Sequence, residues 1–299
     1  MTTAAFSPRI ITDETLLENK KHGSPAFPFQ YYYENILDYD FHCIDWHWHH
    51  EIEFVQVQTG QAICFAGEEK MIIPAGRGVL INSRVIHRYE SDISTMISVT
   101  VYSPYLLGDE GSMIHQKYIY PFISGGPGYI FFDSEVSSWQ GTCIQHMQNV
   151  FDIQDRPDVA DIKTMALLLD FWSEIHQHWQ IENKKAEKTT GRLNQARLQI
   201  MMQYIQEHYR ENITLEDIAS AVHLGKSTAM EIFRQGIHQS PVAWLIHFRL
   251  KQAAILLSST EKKITAIADE VGFESSTYFC RRFRKLYGMT PNEYRKAKT

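Results

Sequence analysis

The sequence predicts an α+β protein: an N-terminal β-barrel closed by two helices, then an all-α domain in which one helical unit occurs twice. Three observations predict it. Short alternating segments separated by Gly and Pro turns fill roughly the first hundred residues. The polar stretch Glu182–Gly191 marks a change of composition. Beyond it, apolar residues recur at helical spacing and one pattern repeats. The chain has 299 residues, 44% hydrophobic and 21% charged. That length suggests two domains and that composition excludes wholesale disorder.

In the first domain, Phe54-Val-Gln-Val-Gln-Thr alternates apolar and polar, Gly60-Gln61 turns, and Ala62-Ile-Cys-Phe follows. Met71-Ile-Ile, the Pro74-Ala-Gly76 turn, Val79-Leu-Ile and Thr95–Tyr102 continue the pattern of a sandwich or small barrel. Two helices, from about Ser137 to Ile153 and Val159 to Ile181, close this domain. The second carries Ile162, Met165, Ala166, Leu169, Trp172 and Ile175 near 3.6-residue spacing. These helices are expected to pack on the barrel or on a second copy. The expected division is residues 1–182 for the barrel and its helices, 183–192 for a linker and 193–299 for the helical domain.

Four cysteines, Cys43, Cys64, Cys143 and Cys280, lie far apart with no CxxC spacing. That excludes a disulfide framework or zinc ribbon and fits a reducing compartment. No apolar run approaches the roughly 20 residues that cross a bilayer, and the first residues show no export signal. The expected location is the cytoplasm, with no membrane partner.

The repeat carries most information. Leu215-Glu-Asp-Ile-Ala-Ser-Ala-Val222 matches Ile264-Thr-Ala-Ile-Ala-Asp-Glu-Val271 at an offset of 49, and Leu224 pairs with Phe273. Past the turn the offset becomes 50: Phe233 with Phe283, Arg234 with Arg284, Pro241 with Pro291, Trp244 with Tyr294. Each copy reads as helix, tight turn, helix. Thr214 and Asp217 form a capping box, Gly225 and Gly272 fall in the breaks, and Ala219 and Ala268 sit where two helices must approach closely. A helix from about Val242 to Ser258 joins the copies, with Leu245, Phe248, Ala253, Leu256 and Leu257 inward.

Charge divides along the same line. Residues Arg192–Thr299 hold 16 basic and 10 acidic side chains, a net of +6. The remainder holds 13 and 25, a net of −12. A basic helical third on an acidic protein is what a nucleic-acid-binding module predicts. A helix-turn-helix places its second helix in the major groove of duplex DNA. Lys226, Ser227 and Thr228, and Ser275, Ser276 and Thr277, open those helices, and Arg281-Arg-Phe-Arg-Lys285 supplies cations for phosphates.

Residues Ile213–Arg295, above all Ile264-Thr-Ala-Ile-Ala-Asp-Glu-Val-Gly-Phe-Glu-Ser-Ser-Thr-Tyr-Phe-Cys-Arg-Arg-Phe-Arg-Lys-Leu-Tyr-Gly-Met-Thr-Pro-Asn-Glu-Tyr-Arg295, resemble the DNA-binding domain of the AraC/XylS family of transcription regulators. Arg249-Leu250, Ala253 and Leu256-Leu257 match its connecting helix. The resemblance implies two reading heads on successive major-groove segments. It places base or backbone contacts on Lys226, Ser227, Met230, Glu231 and Arg234 in the first unit, and on Ser276, Thr277, Cys280, Arg281 and Arg284 in the second. Glu231 departs from the pattern, since its repeat-mate is the basic Arg281. It either accepts from a cytosine amino group or weakens the first unit; the former is the expectation.

In the N-terminal domain, His47-Trp-His49-His-Glu-Ile-Glu53 and the distant His87 resemble the two half-motifs of cupin barrels, HxHxxxE and a later His. The second half is degenerate, with Asn82 and Arg84 where metal cupins have Pro and Gly. In a single strand His47, His49, Glu51 and Glu53 would share a face. Three readings stay open: a metal-free effector pocket, a first-row metal site, or core histidines. The first is carried forward, with no cofactor and no metal ligand assigned. The expected effector contacts are His47, His49, Glu53, Arg84, His87, Trp46 and Trp48. Tyr31, Tyr32 and Tyr89 add aromatic faces and Arg88 a further donor for a carbohydrate-like effector.

The whole is expected to be a cupin-like barrel followed by a double helix-turn-helix. The expected function is an effector-modulated, non-enzymatic DNA-binding regulator, homodimeric through the Ser137–Ile181 helices, with promoter or operator DNA as partner. RNA polymerase is a further partner if it activates. The alternative is a metal-dependent cupin enzyme with an accessory DNA-binding domain.

Overall fold

The computed structural model describes residues 10–13, 16–67, 69–135, 138–183, 189–237 and 239–298. They form two compact units, Met1–Gly191 and Arg192–Thr299.

Among its described residues the first unit has nine strands: β1 (Phe29–Asn35), β2 (Cys43–His47), β3 (Ile52–Thr59), β4 (Gln61–Ala66), β5 (Glu69–Pro74), β6 (Gly78–Ile81), β7 (His87–Glu90), β8 (Met96–Tyr102) and β9 (Tyr129–Phe132). They form a five-stranded sheet, β1-β8-β3-β6-β9, and a four-stranded sheet, β2-β7-β4-β5. All pairings between these strands are antiparallel. Val55, Val57, Ala62, Cys64, Ile73, Val79, Ile81 and Tyr89 are buried together as the barrel core.

The other face of the five-stranded sheet is covered by helices α1 (Tyr120–Gly125), α2 (Ser138–Ile153) and α3 (Ala160–Asn183). Phe54, Leu80, Tyr102, Phe132, Met147, Phe151, Leu168, Phe171 and Trp172 share that second core. Strand alternation sorts neighbours between the two cores. Tyr31 stacks on Phe151 at 5.5 Å, while the adjacent Tyr32 lines the barrel cavity.

The expected α3 stripe is half right. Trp172 and Ile175 point inward and Met165 packs beside them, but Ile162 and Leu169 are exposed and so is Ala166. The inward face is instead centred on Leu168, Phe171 and Trp172. Apolar residues occupy both faces of this helix, so periodicity alone cannot select one. Half of the expected 183–192 linker, residues 184–188, lies outside the described residues, and the other half is helical, since α3 ends at Asn183 and α4 begins at Thr189.

The second unit is helical: α4 (Thr189–His208), α5 (Leu215–Ser220), α6 (Lys226–Ile237), α7 (Pro241–Ser259), α8 (Ile264–Glu270), α9 (Ser276–Tyr287) and α10 (Pro291–Lys298). The duplication is visible in the hydrogen bonds. Leu224 N donates to Ala219 O at 3.0 Å, and its mate Phe273 N donates to Ala268 O at 2.9 Å. Ala219 and Ala268 are both 1% exposed, as close helix approach requires. The left-handed residue of the first turn is His223 (φ 54°) rather than Gly225, and its mate in the second turn is Gly272 (φ 86°). Gly225 simply precedes α6.

The Thr214–Asp217 capping box forms, with Thr214 N donating to Asp217 Oδ2 at 2.7 Å and Asp217 N to Thr214 Oγ1 at 3.3 Å. Thr214→Ala should destabilise this unit by about 1 kcal/mol in thermal unfolding. Hydrogen bonds from the Thr214 hydroxyl and amide hold the Asp217 carboxyl below its usual range. A depressed folded value means the stabilisation is present above the unfolded value near pH 4 and is lost as pH falls through the folded one. Asp217→Asn should therefore flatten the acid limb of the melting curve.

Candidate ligand cavity and candidate nucleic-acid interface

The barrel residues come from several segments. His47 ends β2 and pairs in register with His87, which opens β7. Glu53 lies on β3, in the opposite sheet. His49 stands between β2 and β3, because the chain turns there instead of continuing as one strand. The expectation of a single strand presenting His47, His49, Glu51 and Glu53 is thus corrected: two strands and a turn bring three of the four together. Glu51 contributes its backbone, as Glu51 O accepts from His49 Nδ1 at 3.2 Å.

His47, His49, Glu53 and His87 are all buried. One ligand-type atom from each lies within 4.8 Å of the others. Glu53 sits 3.4 Å from both His49 Nε2 and His87 Nε2, and its Oε1 accepts from the Tyr89 hydroxyl at 2.6 Å. Burial alone would raise the Glu53 carboxyl, but His87 and His49 hold it well below the usual range. Burial, assisted by His87, pushes His47 down to about 3. Burial opposes charge on His87 too, yet the Glu53 carboxylate outweighs it and raises His87.

The adjoining cavity measures about 30 Å³ and is lined by Glu18, Lys20, His22, Tyr32, His47 and Glu53 among others. Sequence reasoning missed Glu18, Lys20 and His22. They lie on a segment held to the end of β2 by Glu18 N to Trp48 O (2.9 Å) and Trp48 N to Leu16 O (2.9 Å). That crossing carries no periodic signal. His22 Nε2 meets Glu18 Oε2 at 3.0 Å and His22 Nδ1 meets the Tyr32 hydroxyl at 3.0 Å.

Of the expected effector contacts only His47 and Glu53 line this cavity; His49, His87, Trp46, Trp48 and Arg84 do not. Trp46 is buried against Phe65 at 5.7 Å, and Trp48 packs edge-on to His50 at 5.4 Å. Arg84 donates to His50 Nδ1 at 3.2 Å. It adopts φ 65°, the conformation for which a glycine is usual at this place in the cupin motif. Arg88 pairs with Glu90 at 2.8 Å. These side chains sit on the opposite side of the strand alternation or beyond its end.

In the helical unit, α6 and α9 present matching outer faces. Ser227, Met230, Glu231 and Arg234 are exposed on α6, as are Thr277, Arg281, Arg284 and Lys285 on α9. Ser276 and Cys280 are half-buried at the edge. The opposite faces are anchored by Ala229 and Phe233, and by their mates Phe279 and Phe283, each 0% exposed. Cys280, Arg281, Arg284, Lys285 and Thr290 line a shallow surface concavity. Lys226 pairs with Glu216 at 2.7 Å. Glu231 lies 3.4 Å from Arg234 and accepts from Gln235 at 2.8 Å.

Residues 30–108 match the family described as "AraC-like ligand binding domain" and residues 218–297 match "Helix-turn-helix domain". The chain belongs to the AraC family of transcription regulators. Among its relatives, the uncharacterized HTH-type transcriptional regulator YdeC of Bacillus subtilis is 28% identical over 292 residues, covering 96% of this chain and 98% of that protein. The melibiose operon regulatory protein of Escherichia coli K12 is 36% identical over 96 residues, so this chain spans about a third (32%) of that protein's length. A solved AraC-type transcriptional regulator from Chromobacterium violaceum is 27% identical, covers 35% of this chain and 94% of that one, and has a TM-score of 0.34. Among the described residues no helix is long and apolar enough to cross a membrane.

Proposed function

We propose that this AraC-family protein binds operator DNA sequence-specifically, with α6 and α9 as reading helices, and that occupancy of the barrel cavity modulates the binding. The observation that carries this reading is the pair of exposed polar and cationic faces at register-equivalent positions on a duplicated buried frame. The names of the relatives support a regulator over a cupin enzyme. A ligand that prefers one arrangement of the barrel shifts the population of DNA-binding states by its difference in affinity. Selection of genomic fragments by the full-length protein tests this: a small set of promoter fragments should be enriched, with affinity falling steeply as salt rises. Equal retention of all fragments would overturn it.

On this reading Glu231 accepts from a cytosine amino group. Glu231→Ala should weaken the preferred site by about tenfold and relax the preference at one base pair. Uniform tightening on every sequence would instead show that its charge opposes phosphate.

Homodimerisation through α3 fits the exposure of Ile162 (72%) and Leu169 (39%), seven positions apart on one face. Sedimentation of the full-length protein should show a dimer that Leu169→Asp weakens. A carbohydrate-sized effector requires the barrel to open, since small-molecule pockets span roughly 300–1,000 Å³ and the cavity measures about 30 Å³.

A further inference from the structure

We propose that the two reading heads divide their roles: α9 grips the phosphate backbone electrostatically, whereas α6, whose cations are matched by carboxylates of its own unit, adds sequence preference with little salt-dependent affinity. The proposal rests on the reading of α6 and α9 as the DNA-contacting helices and goes beyond it in separating what each contributes.

The duplication provides an internal comparison, because equivalent residues occupy the same place on the same buried frame. At the offset of 50, Lys226 corresponds to Ser276, Glu231 to Arg281, Arg234 to Arg284 and Gln235 to Lys285. Over its length α6 holds two basic residues and one acidic, a net of +1. Helix α9 holds four basic residues and no acidic one, a net of +4.

Pairing widens the difference. In the first unit both cations of the reading helix meet carboxylates of that unit. Lys226 Nζ lies 2.7 Å from Glu216 on α5, whose repeat-mate is the neutral Thr265. Arg234 lies 3.4 Å from Glu231, one turn earlier on α6. In the second unit the carboxylates have other partners. Glu270 pairs with Lys262 at 2.7 Å, and Glu274 interacts electrostatically with Arg249 of α7. Glu293, whose carboxylate feels the charge of Arg284, is committed to the start of α10, where it accepts from Thr290 N at 2.7 Å and from the Thr290 hydroxyl at 2.8 Å. Arg281, Arg284 and Lys285 are exposed and, among the described residues, form no ion pair.

Counterion release turns this difference into function. A cation that neutralises a phosphate frees a condensed counterion, and each such contact adds about 0.9 to the slope of log affinity against log salt. A side chain that already shares its charge with a carboxylate gains little by moving to a phosphate, and that carboxylate is itself repelled by the duplex. Exposed ion pairs are weak, so the pairs do not bar α6 from the groove; they remove its electrostatic gain. Hydrogen bonds to base edges select sequence without neutralising phosphate, so Ser227 and Glu231 keep that role. Contact with any duplex is then made chiefly through α9, and α6 distinguishes one sequence from another once the chain is held.

The test measures binding of the full-length protein to the selected operator and to a scrambled fragment at several salt concentrations. Arg284→Gln combined with Lys285→Gln should reduce the slope by about 2 on both fragments. Removing one ion pair of the first unit, Glu216→Gln combined with Lys226→Gln, should change the slope by less than about 0.5. Glu216→Gln alone should release Lys226 to a phosphate, steepening the slope by about 1 and tightening the scrambled fragment by about 3–10-fold. All four side chains are exposed, and far-ultraviolet circular dichroism checks that each variant keeps its fold. A fall of about 1 in the slope for the Glu216 and Lys226 double variant would show that Lys226 grips phosphate despite its carboxylate and would overturn the proposal. No response to Glu216→Gln would overturn it too. Either result with operator preference intact removes the division of roles alone. If the unaltered protein holds both fragments alike, the sequence-specific reading falls while the slopes still decide which helix grips. No retention of either fragment at low salt removes both.

Discussion

Gly272→Ala should disable the second helix-turn-helix unit, destabilising the helical domain by about 2–4 kcal/mol. Gly272 sits at φ 86°, and a Cβ there would meet Tyr209 O at 2.6 Å and Arg210 O at 3.0 Å. These two obstacles are backbone, and the third is the Arg249 guanidinium carbon at 3.0 Å. That backbone is itself pinned, because Arg249 on α7 donates from Nε to Tyr209 O and from an Nη to Glu211 O, each at 2.7 Å. The strain of a left-handed non-glycine residue therefore adds to a clash with atoms that cannot move aside. The repeat-mate supplies the control. His223 occupies the same turn position at φ 54° and is exposed. His223→Gly relieves that strain but loosens the unfolded chain, so the two effects should cancel to within about 1 kcal/mol. Thermal unfolding of the two variants should separate them clearly. Equal stability would show that α8 and α9 tolerate another turn geometry.

Loss of Arg281 should have the largest effect on recognition. Arg281 is exposed on α9, four residues beyond Thr277 and on the same face, with its guanidinium 5.5 Å from the Tyr278 ring. If it reads a base edge, Arg281→Ala should weaken the selected operator by about 5–150-fold, equivalent to about 1–3 kcal/mol, and relax preference at one base pair. Arg284→Ala on the next turn should act differently. As a phosphate contact it should weaken all sequences alike and reduce the salt slope by about 1. Binding curves on selected and scrambled fragments at several salt concentrations distinguish the two roles. Equal losses on both fragments for Arg281→Ala would move it to the backbone class.

Much of this was legible from the chain. The 49- and 50-residue offsets marked equivalent positions in the two helical copies, and the capping box announced where α5 begins. Both signals are local, since helices and caps depend on side chains within a turn or two of one another. The barrel was less legible. Strand alternation located β3 and β8, but which face meets the cavity depends on partners distant in sequence. Trp46, Trp48 and Arg84 were placed in the pocket because they neighbour its histidines in sequence; Trp46 faces the other way because adjacent strand residues alternate, Trp48 lies past the end of β2 and Arg84 sits in the turn before β7. Glu18 and His22 escaped notice because their segment is irregular and its anchors are backbone hydrogen bonds to residues about 30 positions away.

From the linear order of residues alone came the class of fold, the doubled reading head and the polarity of charge between the two parts, since each is written in spacing and composition. Only three-dimensional packing decided that His47, His49, Glu53 and His87 converge on one buried point, that a Cβ is crowded at Gly272 and not at Gly225, and that the cavity measures about 30 Å³. Convergence, clearance and volume are properties of surfaces brought together from remote segments, and no local pattern encodes the distance between them.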